Sequence, residues 1–290
     1  MFLLTETPQK FKQKNKNSNL VKGFTLIELI MVIVILSVLA LGSVQFISYS
    51  ALGYVDTVRR SELAATGTIL NEKISRLVRD ALPGSVRITS DSRCLEFIPI
   101  LAATQYIQAP IVGSPVSQTQ VHGVPLDSAL AQAGYLAIYP QASDINIVYS
   151  DNISPGYVSN EMATVTGSVD GASIFTFNNG ATFQFLLASP MQRLFLVDHP
   201  VAFCQEGSSL FYYRNYGFVG DINNLIAALP STVPNRLLVA NQLLANSIVF
   251  SYLPSSLRRN AIVSYELSLM KDTSNERLVI NQEVQVRNVP

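Results

Sequence analysis

The sequence predicts an α+β fold in which a long N-terminal α-helix packs on a globular domain of antiparallel β-sheet. An apolar segment runs from Phe24 to Val55, and an amphipathic pattern continues it to about Leu82. Pro83 and Gly84 then stop the helix, because proline cannot donate the next hydrogen bond and glycine favours a turn. Beyond them, short β-branched and aromatic runs separated by turn residues are typical of strands.

The composition is that of a folded chain preceded by a basic leader. The 290 residues are 48% apolar and 14% charged, with 20 basic and 20 acidic residues, so the chain can bury a sizeable core. Residues 1–23 hold five lysines and one glutamate, a net charge of +4, which leaves −4 on the rest of the chain. The overall balance lacks the basic excess of nucleic-acid binders, and we expect no nucleic-acid partner.

The apolar segment is long enough to cross a membrane, since about 20 apolar residues span a bilayer. The lysines before it predict an N-terminus on the cytoplasmic side and the bulk of the chain on the other side. Glu28 is its one charge between Phe24 and Val55, and a carboxylate in hydrocarbon costs roughly 2.5 to 3.5 kcal/mol. A cut between Gly23 and Phe24 would create an amino group at the depth of Glu28, on the same chain or on a neighbouring one.

The run Lys22-Gly23-Phe24-Thr25-Leu26-Ile27-Glu28, followed by an unbroken apolar helix, resembles the signature of type IV prepilins and pseudopilins. The resemblance implies that a prepilin peptidase cuts after Gly23, that Phe24 becomes N-methylated, and that Glu28 guides docking into a filament. It also implies inner-membrane anchoring, a periplasmic globular domain, and other minor and major pilins as partners. Many pilins have a proline within this helix, where the present sequence has Gly42 and no proline.

Three shorter segments resemble proteins of the biogenesis system of the mannose-sensitive haemagglutinin (MSHA) pilus. They are Pro200 to Cys204, Leu210 to Gly217, and Gln285 to Pro290. This resemblance implies a minor pilin-like subunit that assembles or initiates an MSHA-type IV pilus. A J-like minor pseudopilin of type II secretion and a filament-tip adhesin are the alternatives.

We expect four segments along the chain: a leader over 1–23, a membrane half of the helix over 24–55, an amphipathic half over 56–82, and a β-rich domain over 83–290. One apolar stripe marks the amphipathic half: Leu63, Leu70, Ile74, Leu77 and Ala81.

Within the β-rich domain, the sequence predicts a hairpin around Asn178-Asn179-Gly180, whose arms are residues 175–177 and 183–185. A three-stranded meander is predicted over 194–214, and three further strands over 247–252, 261–269 and 277–286. Residues 104–160 are rich in Gln, Ser, Pro and Ala, and we expect long loops there.

Cys94 and Cys204 are the two cysteines, and an oxidising periplasm favours a disulfide between them over two buried free thiols. A metal pair is disfavoured, because only His122 and His199 could complete it.

Other candidate chemistry is weak, and we expect no enzyme, no cofactor and no metal site. We interpret Asp198-His199-Pro200 as an edge or turn of the sheet rather than as a catalytic pair. His122 is expected to be a loop residue. Two groups of Asp and Asn residues lack a calcium-loop spacing: Asp144, Asn146, Asp151 and Asn152, and then Asp221, Asn223 and Asn224. Five aromatic residues could form either a sugar-binding surface or the core and rim of a sheet: Phe211, Tyr212, Tyr213, Tyr216 and Phe218.

Overall fold

The computed structural model describes residues 23–126, 133–150, 154–169, 171–255, 259–270 and 276–286. It confirms the predicted α+β fold, with a long N-terminal helix followed by antiparallel sheets. The helix α1 spans Leu26–Arg79. The chain divides into two compact units within this helix. One unit ends at Val58, and the other begins at Arg59 and contains the sheets.

The helix ends before Pro83 because the next residues pair with an extended segment. Leu82 donates its backbone N–H to the carbonyl of Ile98 at 2.7 Å, and Ile100 donates to the carbonyl of Asp80 at 2.8 Å. This bridge removes residues 80–82 from the helix that the sequence predicted to continue to Leu82.

The strands and one short helix follow in this order. They are β1 (Arg87–Ile88), β2 (Cys94–Phe97), β3 (Ile100–Gln108), β4 (Gln120–Gly123), β5 (Gly134–Ala137), β6 (Val158–Val169), β7 (Ala172–Phe177), β8 (Arg193–Val197), β9 (Val201–Glu206), β10 (Ser209–Tyr213), α2 (Leu225–Ala228), β11 (Arg236–Ala240), β12 (Val249–Leu253), β13 (Ala261–Met270) and β14 (Arg277–Val286).

These strands form three antiparallel arrays. A five-stranded sheet has the order β1-β2-β9-β10-β11, and a three-stranded sheet has the order β12-β13-β14. Strands β3, β4, β7, β6, β5 and β8 close into a barrel in that order. The three C-terminal strands predicted from sequence are therefore confirmed, and each of their pairings is antiparallel.

The amphipathic half of α1 packs on the two open sheets. Leu63, Leu70, Ile74 and Ala81 of the predicted stripe are buried, and Leu77 is partly buried. They share one core with residues of the five-stranded and three-stranded sheets: Leu95, Phe97, Phe203, Phe250, Val263, Leu267, Leu269 and Val284. Burying one such side chain contributes about 1.5 to 3 kcal/mol.

Gly67 and Ser75 also lie on the buried face of α1. A Cβ atom at Gly67 would meet the side chains of Ile280, Leu269 and Leu278, so glycine permits close approach of helix and sheet. The hydroxyl of Ser75 lies 3.0 Å from that of Tyr265, which satisfies both polar groups at this interface.

The prediction of long loops over 104–160 was wrong for four stretches of that range, while most of its other described residues do lie in loops and turns. The range contains the end of β3, all of β4 and β5, and the start of β6, which are strands of the barrel. Their inward side chains fill a barrel core, among them Tyr106, Val121 and Leu136. β4 and β5 have four residues each, which is too few alternations to be recognised in the sequence.

The predicted hairpin at 175–185 was also wrong. β7 pairs with β4 and β6, while Phe185 forms isolated bridges to Ile111 and Gly156. Phe183 and Phe185 enter the barrel core with their ring centroids 5.0 Å apart.

The predicted meander over 194–214 divides between two sheets. β8 belongs to the barrel, where it pairs with β3 and β5. β9 and β10 pair with each other in the five-stranded sheet. Asp198, His199 and Pro200 form the connection at which the chain passes from one sheet to the other.

Candidate functional site

The N-terminal end of α1 is built by Thr25. Its carbonyl accepts hydrogen bonds from the backbone N–H groups of Glu28 at 3.1 Å and Leu29 at 3.2 Å, and its hydroxyl oxygen accepts from Glu28 at 3.4 Å. Glu28 therefore lies in the first turn, where the helix dipole favours an acidic side chain. Gly23 and Phe24 precede this turn in non-helical backbone.

The helix surface beyond Glu28 is apolar and exposed on every side. Each described side chain from Phe24 to Val58 is exposed, including Phe24 at 73% and Phe46 at 73% of their full accessible area. Among the described residues, α1 is the one helix whose length and apolar composition suffice to cross a membrane. A helix that is apolar all round requires lipid or other helices around it.

Three hydroxyl groups of this segment are satisfied within the helix itself. Ser37, Ser43 and Thr57 each donate to the carbonyl four residues earlier, at 2.7 to 2.8 Å. The carboxylate of Glu28, in contrast, has no hydrogen-bond or ion-pair partner within the residues that the structure describes. It is the one charged group between Phe24 and Val55, so in hydrocarbon it requires a partner from outside the helix.

Residues 18–44 match the family model of the prokaryotic N-terminal methylation motif. This match supports a type IV pilin-like N-terminal segment. The matched range contains Gly23, Phe24 and Glu28, together with the first part of α1. Residues 1–22 of the predicted leader lie outside the described residues. Comparison of the chain with curated proteins and with solved structures gave no match.

The globular part contains a buried ion pair that sequence reasoning missed. Arg87 Nε donates to Glu96 Oε2 at 2.5 Å, and their side chains are 3% and 0% exposed. The two residues face each other across the β1–β2 pairing. The signal in the sequence was one arginine and one glutamate in two short, otherwise apolar segments, which alone did not predict that they pair.

Every remaining polar atom of this pair has a partner. Arg87 also donates to Asn146 Oδ1 and the carbonyl of Gly220, both at 2.9 Å, and to the carbonyl of Val219. The Tyr216 hydroxyl donates to Glu96 Oε1 at 2.9 Å. Burial raises the pKa of the Glu96 carboxyl above its usual range, although the Arg87 guanidinium acts in the opposite direction. The network fixes three chain segments to one another.

A disulfide joins Cys94 and Cys204. The two residues are direct partners in the antiparallel pairing of β2 with β9, and 110 residues separate them along the chain. Ala202, Tyr213 and Leu225 form a small buried cluster with them. The bridge therefore connects the segment that follows α1 to the middle of the five-stranded sheet.

The other candidate residues from the sequence, Asp198, His199 and His122, have partners within the fold. The Asp198 carboxylate accepts from the His199 backbone N–H at 2.8 Å and lies 3.3 Å from its ring Nδ1. This hydrogen bonding lowers the pKa of the Asp198 carboxyl. His199 Nε2 lies 3.3 Å from the Tyr135 hydroxyl. His122 lies in β4 rather than in the predicted loop, with Nε2 2.9 Å from Gln120 Nε2.

The Asp and Asn groups cap short 3-10 turns. Asp144 accepts from the backbone of Asn146, and Asp221 accepts from the backbone of Asn223, both at 2.9 Å. Asp151 and Asn152 lie outside the described residues. The described part of the chain contains no group of three or more His, Cys, Asp or Glu side chains placed to hold a metal ion.

The aromatic group of the five-stranded sheet is engaged within the domain. The Tyr213 hydroxyl donates to Glu206, and the Arg236 guanidinium lies 3.7 Å from the centre of the Phe211 ring. Tyr212 packs on Phe203 with ring centroids 5.1 Å apart. Phe218 packs on the Tyr135 ring at 4.8 Å.

Proposed function

We propose that the chain is a minor pilin-like subunit that takes part in assembly or initiation of an MSHA-type IV pilus. The observation that supports this proposal most strongly is the exposed apolar helix whose beginning, at Gly23, Phe24 and Glu28, falls inside the methylation motif. Proteins that carry this motif are structural filament proteins rather than enzymes.

In the proposed mechanism, a prepilin peptidase cuts between Gly23 and Phe24, and the new amino group of Phe24 is methylated. Before assembly, the apolar part of α1 anchors the subunit in the inner membrane, with the residues before it in the cytoplasm and the globular part in the periplasm. The Glu28 carboxylate then pairs with the amino group of Phe24 on a neighbouring subunit. Pairing removes the cost of an isolated charge in hydrocarbon, so it favours docking.

The role as a minor component of the MSHA system rests on sequence resemblance. The segments Pro200 to Cys204 and Leu210 to Gly217 resemble the MSHA biogenesis protein MshO, and they form β9, β10 and the residues that follow. A minor subunit also suits a globular part that contains two open sheets and a barrel, since such a body is large for the repeating subunit of a filament.

The experiment that tests the proposal replaces Glu28 by alanine in a host that expresses the matching pilus system. Glu28→Ala is expected to be cut and methylated like the parent chain but to fail to support filament formation. Glu266→Ala, which removes an exposed carboxylate from β13, serves as the matched control and should support normal filaments. Normal filament numbers with Glu28→Ala would contradict the pairing mechanism.

A further inference from the structure

Among the strands that the structure describes, four sheet edges remain open, because the barrel closes on itself. They belong to β1 and β11 of the five-stranded sheet and to β12 and β14 of the three-stranded sheet. Proteins shorten or interrupt such edges, since unpaired backbone groups attract other strands. β1 has two residues, β11 has five with a register shift against β10, and β12 has five and is followed by Pro254.

The edge of β14 lacks these devices. Its ten residues pair with β13 without a bulge, and they include no lysine and no proline. Eight of the ten are at least partly exposed. In the described part of the chain, β13 is the one strand that pairs with β14. A long, regular and uncovered edge is a template for a further strand.

Strand β13 uses part of its backbone on the side away from β14. Met270 donates its N–H to the carbonyl of Gln242, and the carbonyl of Ser268 accepts from the N–H of Leu244, both at 2.8 Å. In an antiparallel pair, residues bonded to the partner strand alternate with residues whose backbone groups point away from it. Met270 and Ser268 therefore form non-hydrogen-bonded pairs with β14.

The residues of β14 opposite these two are Arg277 and Val279, and their N–H and C=O groups point to the free edge. The alternation assigns Asn281 and Glu283 to the same edge. Within the described residues, one hydrogen bond reaches these backbone groups, from Nε2 of Gln282 to the Glu283 carbonyl at 3.0 Å. The edge thus offers a regular row of donors and acceptors.

The side chains of these four residues form a row with a charge at each end. Arg277 and Glu283 are exposed, and neither forms an ion pair with another described residue. Arg277 donates from Nε and Nη2 to the hydroxyl oxygen of Ser268, at 3.0 and 2.7 Å, which holds its guanidinium over the sheet. Val279 and Asn281 lie between the two charges. An antiparallel strand fits this row best when it places a carboxylate opposite Arg277 and a cation opposite Glu283.

The direction of β14 restricts which chain can supply that strand. Gly67 of α1 lies against Ile280, and one helical turn later Asn71 Nδ2 lies 3.5 Å from Gln282 Oε1, so β14 runs in the same direction as this part of α1. Head-to-tail contacts keep all helices of a filament in one direction. A second copy of this chain would therefore present β14 parallel to the first. The antiparallel strand comes from a different subunit.

We propose that the free edge of β14 accepts an extended strand of another minor subunit, added antiparallel, with a carboxylate opposite Arg277 and a cation opposite Glu283. This inference rests on the function proposed above. Main-chain hydrogen bonds supply binding in such an addition, and alternate side chains select the partner. Opposite charges across an antiparallel pair stabilise it, and like charges directly opposite destabilise it.

A seven-residue peptide tests the edge: acetyl-Lys-Thr-Asn-Val-Val-Thr-Glu-amide, added in excess to the full chain in detergent micelles. In the antiparallel register its lysine lies opposite Glu283 and its glutamate opposite Arg277. NMR measures the hydrogen exchange of each amide. The amides of Val279 and Asn281 should exchange quickly in the free protein and slowly with the peptide. The amide of Ile280, which already bonds to β13, should exchange slowly in both states.

Two variants at one position separate the backbone from the side chain. Asn281→Pro removes an edge N–H without removing a bond to β13, and it should abolish the protection by the peptide. Asn281→Ala retains the N–H and should bind the peptide like the parent chain. Slow exchange at Ile280 in both variants shows that the sheet is intact.

The charge pattern is tested on the parent chain, without a variant. A peptide with its lysine and glutamate exchanged should bind about tenfold more weakly, because two attractive pairs become repulsive.

Several results would overturn the proposal. Fast exchange at Val279 and Asn281 with saturating peptide, or unchanged protection in Asn281→Pro, would show that the edge does not accept a strand. Equal binding of the two peptides would contradict the stated partner chemistry. Protection that grows with protein concentration in the absence of peptide, together with a doubled protein mass per micelle, would show that a second copy occupies the edge.

The subunit claim is tested in the expressing host. Asn281→Pro should be cut after Gly23 normally and should support fewer filaments, whereas Asn281→Ala should match the parent chain. Normal filament numbers with Asn281→Pro would refute the subunit claim while leaving processing and the role of Glu28 intact. Failure of the parent chain to be cut would instead refute the proposed function.

Discussion

Replacing Arg87 by methionine should destabilise the globular part by about 3 to 5 kcal/mol, the usual cost of leaving one member of a buried ion pair without its partner. The Glu96 side chain is 0% exposed, so water cannot replace the lost guanidinium. The carbonyls of Val219 and Gly220 and the amide oxygen of Asn146 lose a donor at the same time. Methionine retains much of the aliphatic stem, which limits the contribution of lost packing.

The measurement is urea unfolding of the full chain in detergent micelles, followed by near-ultraviolet circular dichroism of the buried tyrosines. The double variant Arg87→Met with Glu96→Leu is the matched control, because it removes the orphaned charge as well. The double variant should recover at least about 1 kcal/mol of the free energy of unfolding that Arg87→Met loses, which is in the range of interaction energies measured for residues in contact. Arg93→Met, at a partly exposed arginine, should change the free energy of unfolding by less than about 0.5 kcal/mol.

The loss in Arg87→Met should also depend on pH. Burial already raises the pKa of Glu96, and Arg87 is the main group that lowers it, so removing Arg87 raises this pKa further. A carboxyl whose pKa is higher in the folded state stabilises the fold most at low pH, and this contribution is lost as pH rises through the folded pKa. The difference from the parent chain should therefore shrink as pH falls from 8 to 5. A loss below about 1 kcal/mol, or one that does not change with pH, would refute this account of the pair.

Two further predictions concern the packing of α1 and the covalent link between sheet strands. Gly67→Leu should destabilise the helix–sheet interface by about 1 to 3 kcal/mol, because the new side chain must displace Ile280, Leu269 and Leu278. Thermal unfolding measures the effect. Ala65→Leu, at an exposed position of the same helix, is the control and should be close to neutral. Replacing Cys94 and Cys204 together by alanine should lower the free energy of unfolding by about 2 to 5 kcal/mol. A reductant should lower the free energy of unfolding of the parent chain but should not affect the variant. Equal sensitivity of both chains to reductant would contradict a role for the bridge.

The helix was predictable because two strong signals coincide in it. The unbroken apolar run specifies its first half, and the spacing of Leu63, Leu70 and Ile74 specifies the face that packs on the sheets. Its end was less predictable, since the bridge of Leu82 to Ile98 is a tertiary contact that competes with the last helical turn. Gly67 has no side chain that contributes to the apolar pattern, so the sequence did not predict that it lies at the interface.

The sheets illustrate the limit of local signals. Asn179 and Gly180 adopt the positive φ angles, 59° and 66°, that the turn chemistry predicts. The segments on either side nevertheless pair elsewhere, because long-range contacts decide the partners. The barrel escaped prediction because β4 and β5 have only four residues each and because its closure depends on pairings between distant segments.

The N-terminal residues were predictable from local sequence, since one short run specifies both the start of the helix and the charge within it. The free edge of β14 was not, because the contacts of Met270 and Ser268 that define it are made with the separate segment 242–244. Pairing of Arg87 with Glu96 likewise required the register of β1 on β2.

The central claim, processing of the chain at the start of α1, is tested most directly by the intact mass of the protein purified from membranes of a host with its prepilin peptidase. The account predicts a chain that begins at Phe24 and is one methyl group heavier than its sequence, with a gain of two hydrogens on reduction of the bridge between Cys94 and Cys204. A chain that still begins at Met1 would contradict processing, and the role of Glu28 in filament assembly would have to be withdrawn.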